Sequence, residues 1–325
     1  MTLGIPTNAE GLPIGAILLF SFVLGIIHGA TPDEHTWPIT FSYSIGSYST
    51  RGGYRSGLAF SLSFTLQRAI ASELAFLGLA AFLTVGIVPA IVYVVVGVSM
   101  AAVGYYLLRR ANYLHWHGLE TATHRLGHWF LKDRPGRADY LGRHDADEPE
   151  YGPTNPRLAL MHGFIAGWGF GPFALVLYFV LAPQMGSPLL GWVPGLLFGI
   201  GTLLLQVLFG TVFGRWISTR RNLGIDGIRK LGRRISGSVL FYGGLAFLAA
   251  GLAEIAFPAI GTFSVPTGIP VYNLDQISLG FLLVIGSVGG IGIASALWGM
   301  RELRRDAERG TAARGTSASR PELPH

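Results

Sequence analysis

Cysteine is absent from all 325 residues. That excludes a disulfide framework, a thiolate metal site, an iron–sulfur cluster and a thiol relay within this chain. Charge is scarce as well, at 13% of residues, about half the roughly 25% of an ordinary soluble domain. No Walker A motif, zinc-finger spacing or convincing Gly-x-Ser-x-Gly occurs. What is abundant is apolar: 50% of residues are hydrophobic and the mean hydropathy is +0.46. A soluble enzyme, a disordered chain and a fibrous repeat are all excluded by that balance.

The apolar residues fall into seven runs, at approximately 12–31, 56–84, 86–108, 158–182, 189–213, 236–260 and 276–299. A bilayer core of about 30 Å takes about 20 residues of helix, and only helices satisfy their own backbone there. The fold class expected is therefore an all-α polytopic membrane protein of about seven spans. The 24 Lys and Arg residues set its orientation. Arg51 and Arg55 follow the first run, eight basic residues lie in 109–157, seven in 214–235 and six in 301–325, whereas 1–11, 183–188 and 261–275 have none. Alternating basic loops predict an outside N-terminus and a cytoplasmic C-terminus in the cell membrane. They also account for the pI near 9.7 without a nucleic-acid partner. The first run lacks a basic leader and an Ala-x-Ala-like site, and Pro32-Asp33-Glu34-His35 follows it, so it reads as a retained helix.

The organisation expected is a three-helix half over 1–108, a polar His-rich cytoplasmic loop over 109–157 and a second three-helix half over 158–260. A seventh helix with its preceding loop fills 261–300, and a basic tail fills 301–325, helical at first and then disordered. Three crossings invert the next three, so the halves could form an inverted 3+3 repeat. His28-Gly29 in the first run and His162-Gly163 in the fourth are a slight sign of it.

Ionisable groups inside a membrane are costly, so each is a functional hypothesis. The richest cluster closes the first run: His28, Asp33, Glu34 and His35. Imidazole and carboxylate are natural ligands for divalent nickel, cobalt or zinc where thiols are missing. His28 and His35 are seven apart, two helical turns on one face, and Pro32 interrupts the helix between them. The competing reading is an ordinary helix end with Asp33 as a cap. Gln67, Arg68 and Glu73 in the second run form either a structural ion pair or an ion-path and proton-coupling group. His162 is either a ligand or a packed histidine. Gly163, Gly167 and Gly171 read as a packing stripe. Gln206 and Glu254 are weaker candidates. In the loop, His117, Glu120, His124 and His128 have helical spacing, which suits either a cytoplasmic metal-collecting surface or a solvated helix.

His28, four residues, then Asp33 resembles the first-half helix of the nickel/cobalt transporter superfamily, which includes the urease-accessory-like membrane proteins. Here His35 follows Asp33 after the intervening Glu34. Residues 39–57, with Tyr43, Arg51 and Arg55, look like that family's connection to its next helix, which reads Ser63-Phe64-Thr65-Leu66-Gln67 where the family often has Gly-His. The similarity covers mainly residues 14–85. It implies a secondary transporter, not an enzyme, with nickel or cobalt as substrate, no tightly bound cofactor, and His28, Asp33, His35 and His162 as metal ligands. The alternatives are an exporter of a small organic solute using Arg68, and a membrane metal-dependent enzyme or assembly factor. The partners expected are the lipid bilayer and a divalent metal ion.

Overall fold

The computed structural model describes residues 11–31, 33–79, 87–110, 156–169, 171–220, 223–269 and 275–318. The loop histidines His117, His124 and His128 lie outside these residues. The chain is an all-α polytopic membrane protein. Its helices are α1 (Ile14–Ala30), α2 (Trp37–Ile45), α3 (Thr50–Leu74), α4 (Val88–Arg110), α5 (Pro156–Ala166), α6 (Pro172–Val176), α7 (Val193–Ser218), α8 (Gly224–Ala256), α9 (Leu279–Val284) and α10 (Gly292–Ala318). Among the described residues, 88–109, 193–218, 224–256 and 279–305 are long and apolar enough to cross a membrane, and 14–30, 157–166 and 173–185 are shorter apolar helices.

The first expected span stands as one helix followed by a break, and the fourth is itself broken. The first stops at Ala30 because Thr31 precedes a proline and is extended, with φ −85° and ψ 147°. A short helix, α2, then continues along α7 before α3. The fourth expected span, 158–182, is not one helix. α5 ends at Ala166, and α6 restarts at Pro172, a residue suited to the first turn of a helix because it has no N–H to satisfy. Backbone left unpaired by a break survives at membrane depth only where protein surrounds it, and Ala166, Gly167 and Gly169 are buried.

The helices pair in a regular way: α3 lies along α7, α4 along α8, α1 against α7 and α5 against α3. Glycines set the closest approaches. A Cβ on Gly25 would sit 2.0 Å from the Phe198 carbonyl oxygen, and one on Gly53 would sit 2.1 Å from that of Gly210. The Gly163/Gly167/Gly171 stripe divides. A Cβ on Gly163 would sit 2.0 Å from the Phe60 carbonyl oxygen, whereas one on Gly171 meets nothing within 4 Å. Gly163→Ala should therefore force α5 and α3 apart and cost about 1–3 kcal/mol by overpacking, while Gly171→Ala should be near neutral. Thermal unfolding of the two variants in detergent checks this, and equal stabilities would refute it.

α8, at 33 residues, spans about 50 Å and outruns the roughly 30 Å bilayer core. Its polar first turns pair with α10: Arg234 contacts Glu302, and Lys230 Nζ lies 3.2 Å from the same carboxylate. The tail is helical as far as Ala318, beyond the short helical start expected of it. Between α8 and α9 the chain forms a two-stranded antiparallel ribbon, Ser264–Pro266 with Gln276–Ser278.

Candidate functional site

The break after α1 builds the site. Asp33 folds its carboxylate back so that Oδ1 accepts the His35 N–H at 3.0 Å, and its carbonyl accepts the Trp37 N–H at 3.0 Å. Such Asx turns are what a short acidic side chain readily forms where a helix breaks. Asp33 Oδ2 stands 3.8 Å from His28 Nδ1. His35 Nδ1 stands 3.5 Å from Glu34 Oε1, which also accepts the Tyr93 hydroxyl at 3.2 Å. The His35 ring stacks on Tyr93 at 5.3 Å. Two imidazole–carboxylate pairs thus lie side by side, with His28, Asp33 and His35 buried.

Glycine makes room for this arrangement. A Cβ on Gly169 would strike the His35 ring at 2.5 Å, and one on Gly280 would strike the Glu34 carboxylate at 2.5 Å. The second helix break supplies the opposite wall. The Gly169 carbonyl accepts Arg68 Nη2 at 3.0 Å, and the Tyr178 hydroxyl accepts Nη1 at 2.9 Å. The guanidinium packs against Phe64 at 4.7 Å and Phe198 at 5.6 Å. The same two rings flank His28, at 5.9 and 5.1 Å. Arg68 interacts electrostatically with both His28 and Asp33. Its positive charge therefore offsets a carboxylate across an aromatic partition, without direct contact.

The sequence-predicted residues separate into groups. His28, Asp33, His35 and Arg68 share this centre. His28 and His35 do so across a break in the helix, not along one continuous helix face as the seven-residue spacing suggested. Glu34, which interrupts the spacing, belongs to the centre. His162 does not join it: its Nδ1 meets the Tyr43 hydroxyl at 2.7 Å and the Leu158 carbonyl at 3.1 Å, on α2 and α5. Glu73 and Arg68 do not pair, since Arg68 turns to Gly169 and Tyr178 while Glu73 Oε2 lies beside Gly191. Gln67 packs its amide against Gly167. Tyr93 and Tyr178 were missed. Each is a polar tip in an otherwise apolar run, and that is the signal that marks them.

Asp33, Glu34 and His35 each offer one ligand atom, and those atoms lie within 4.8 Å of one another. The set is chemically able to hold one cation, but it differs from the expected quartet by taking Glu34 and leaving out both His28 and His162.

Residues 45–246 match the family described as the cytochrome C biogenesis protein transmembrane region. The chain belongs to that family. No curated protein and no solved structure matches it. Membership overturns the likeness to nickel/cobalt transporters, and with it metal transport and nickel or cobalt as substrate. The resemblance covered mainly residues 14–85, and its ligand pattern of His28, Asp33 and His35 precedes the matched region. The structure shows that spacing to be a product of the turn between α1 and α2, and not a ligand ladder on one helix.

Proposed function

We propose that this chain is a membrane assembly factor for c-type cytochromes that works without thiols, through proton exchange at the His28/Asp33/Glu34/His35 centre. One observation carries the reading. In a chain of the cytochrome C biogenesis family that has no cysteine, two buried imidazole–carboxylate pairs occupy the junction of two broken helices. Acid–base exchange is the chemistry those groups offer. Arg68 places a guanidinium near them, held by the Gly169 carbonyl and the Tyr178 hydroxyl. Discontinuous helices meeting at a buried polar site are also a feature of membrane machines that alternate between two arrangements. The helix pairing supports two three-helix halves: α3 with α7 and α4 with α8 join corresponding members, and α1 against α7 mirrors α5 against α3. In this reading the protein is a factor and not an enzyme. Its N-terminus lies outside and its basic loops face the cytoplasm.

The test is genetic. Deleting the gene should abolish covalently bound haem in c-type cytochromes, and restoring the intact gene should recover it. An added dithiol reductant or a disulfide oxidant should not substitute, because the chain carries no sulfhydryl to relay. Normal haem-stained cytochrome in the deletion, or full rescue by dithiol, would overturn the proposal.

A further inference from the structure

Ser and Thr in apolar helices ordinarily return their hydroxyl to the carbonyl four residues back. Ser42 does so to Pro38 at 2.7 Å, Ser21 to Ile17 at 2.8 Å and Thr202 to Phe198 at 3.1 Å. Thr40 and Ser44, on the same helix as Ser42, do not. Their hydroxyls are buried with no hydrogen-bond partner in the protein, and Thr36 Oγ1 also lacks a well-formed bond. Positions 36, 40 and 44 are one turn apart and form a single face of the α2 segment. Its inner end is the centre, because Thr36 lies against the Asp33 carboxylate. Its outer end leads past Ser47 to the exposed Ser49 and Arg51.

The neighbouring helices present more of the same. Trp37 packs on Phe209 and Phe41 on Phe213, so α2 runs parallel to α7. A Cβ on Gly210 would stand 3.1 Å from the Ser44 hydroxyl. Gln206 lies one turn before Gly210 on α7, against Gly57 of α3, and both ends of its amide are buried without partners. Ser61 and Thr65 on α3 add two more such hydroxyls, and Thr65 lies against Gly199 of α7. Buried polar atoms are rarely left unpaired, and several gathered between three helices need a reason.

We propose that the Thr36–Thr40–Ser44 face, with Ser61 and Gln206, is a path by which water and protons reach the Asp33 centre from the α2–α3 end of the bundle. It rests on the reading above only for the role of the centre. The oxygens are sealed in this conformation, so the path is closed here and opens as the helices part. Neutral hydroxyls and an amide can relay water and protons, and they give no charge to hold a larger ion.

A chain with no native cysteine makes the test direct. Thr40→Cys and Ser44→Cys, in the full-length protein in membrane vesicles, are reacted with a charged, water-borne methanethiosulfonate. Ile39→Cys serves as a buried apolar comparison on the same helix, and Leu66→Cys as a lipid-facing one on α3. Only thiolate reacts, and each unit by which apolar surroundings raise a thiol's pKa removes about tenfold of it. Cysteines at 40 and 44 should therefore label at least about tenfold faster than those at 39 and 66. Equal rates would overturn the path. Thermal unfolding of Thr40→Val and Ser44→Ala gives a second measure. If these hydroxyls were always dry, removing them would raise stability and refute the proposal, whereas no rise supports it. Neither readout involves cytochrome assembly, so failure of the path and failure of the proposed function are told apart.

Discussion

Arg68→Ala is expected to leave little folded protein in the membrane. The guanidinium is buried, donates to the Tyr178 hydroxyl and the Gly169 carbonyl, and is held over Phe64 and Phe198. Truncation strands the buried Gly169 carbonyl, at about 1–3 kcal/mol, and takes a donor from the Tyr178 hydroxyl. It also removes a desolvated cation–π contact of about 2 kcal/mol and leaves a void between two helix breaks. Against this stands relief from burying a charge, which can make an ion costlier than an apolar isostere. Two contrasts show which effect wins. Arg68→Met fills most of the volume, so it should recover part of the loss and isolate the cost of the lost hydrogen bonds. Arg68→Met combined with Asp33→Asn removes both charges and should be more stable than Arg68→Met alone, because Asp33 then no longer lacks an opposing charge. Arg68→Lys should behave like the methionine variant, since one ammonium cannot reproduce the two directed donors of the guanidinium fork. Thermal unfolding in detergent reads all four. A double variant no more stable than Arg68→Met would show that Arg68 and Asp33 are not coupled.

The spans were legible where hydropathy alone decides. Val88–Arg110 and Val193–Ser218 fall on expected runs because nothing but length and apolarity is needed to place them. α3 was harder: it begins at Thr50, well before the apolar run at 56, because Ser49 caps it by accepting the Gly52 N–H at 3.0 Å. The break between α5 and α6 was invisible to hydropathy, since glycines and a proline inside an apolar run change the backbone without changing polarity. The site was half legible. His28, Asp33, His35 and Arg68 stand out because charge in an apolar setting is costly. Glu34 was misjudged because helical spacing was applied across a break in the helix, where spacing does not predict which side chains meet. His162 was grouped with His28 on residue identity alone. Its ring is committed to Tyr43 through a 2.7 Å hydrogen bond, a pairing across 119 residues that no local pattern foretells.

Asp33→Asn should abolish cytochrome assembly while leaving the protein folded, which separates the chemistry of the centre from its architecture. Asparagine keeps the side-chain oxygen that accepts the His35 N–H, so the Asx turn linking α1 to α2 survives. What it loses is the negative charge facing His28 Nδ1 at 3.8 Å and the ability to take up a proton. Asp33→Ala should fail differently. Without the turn acceptor it should lose about 1 kcal/mol or more of stability in addition to function. Glu34→Gln tests the second pair: the amide still accepts the Tyr93 hydroxyl but cannot exchange a proton with His35, so assembly should fall and folding should not. Glu73→Gln lies outside the centre and should assemble cytochrome normally. His162→Ala should instead lose stability, because the buried 2.7 Å hydrogen bond to Tyr43 is removed and a void is left, and the protein that remains folded should stay active. The readouts are haem-stained c-type cytochrome, normalised to the amount of this protein in the membrane, and thermal unfolding of each purified variant. If Asp33→Asn assembles cytochrome as well as the unaltered chain, the buried carboxylate is structural and proton exchange at this centre is not how the protein works.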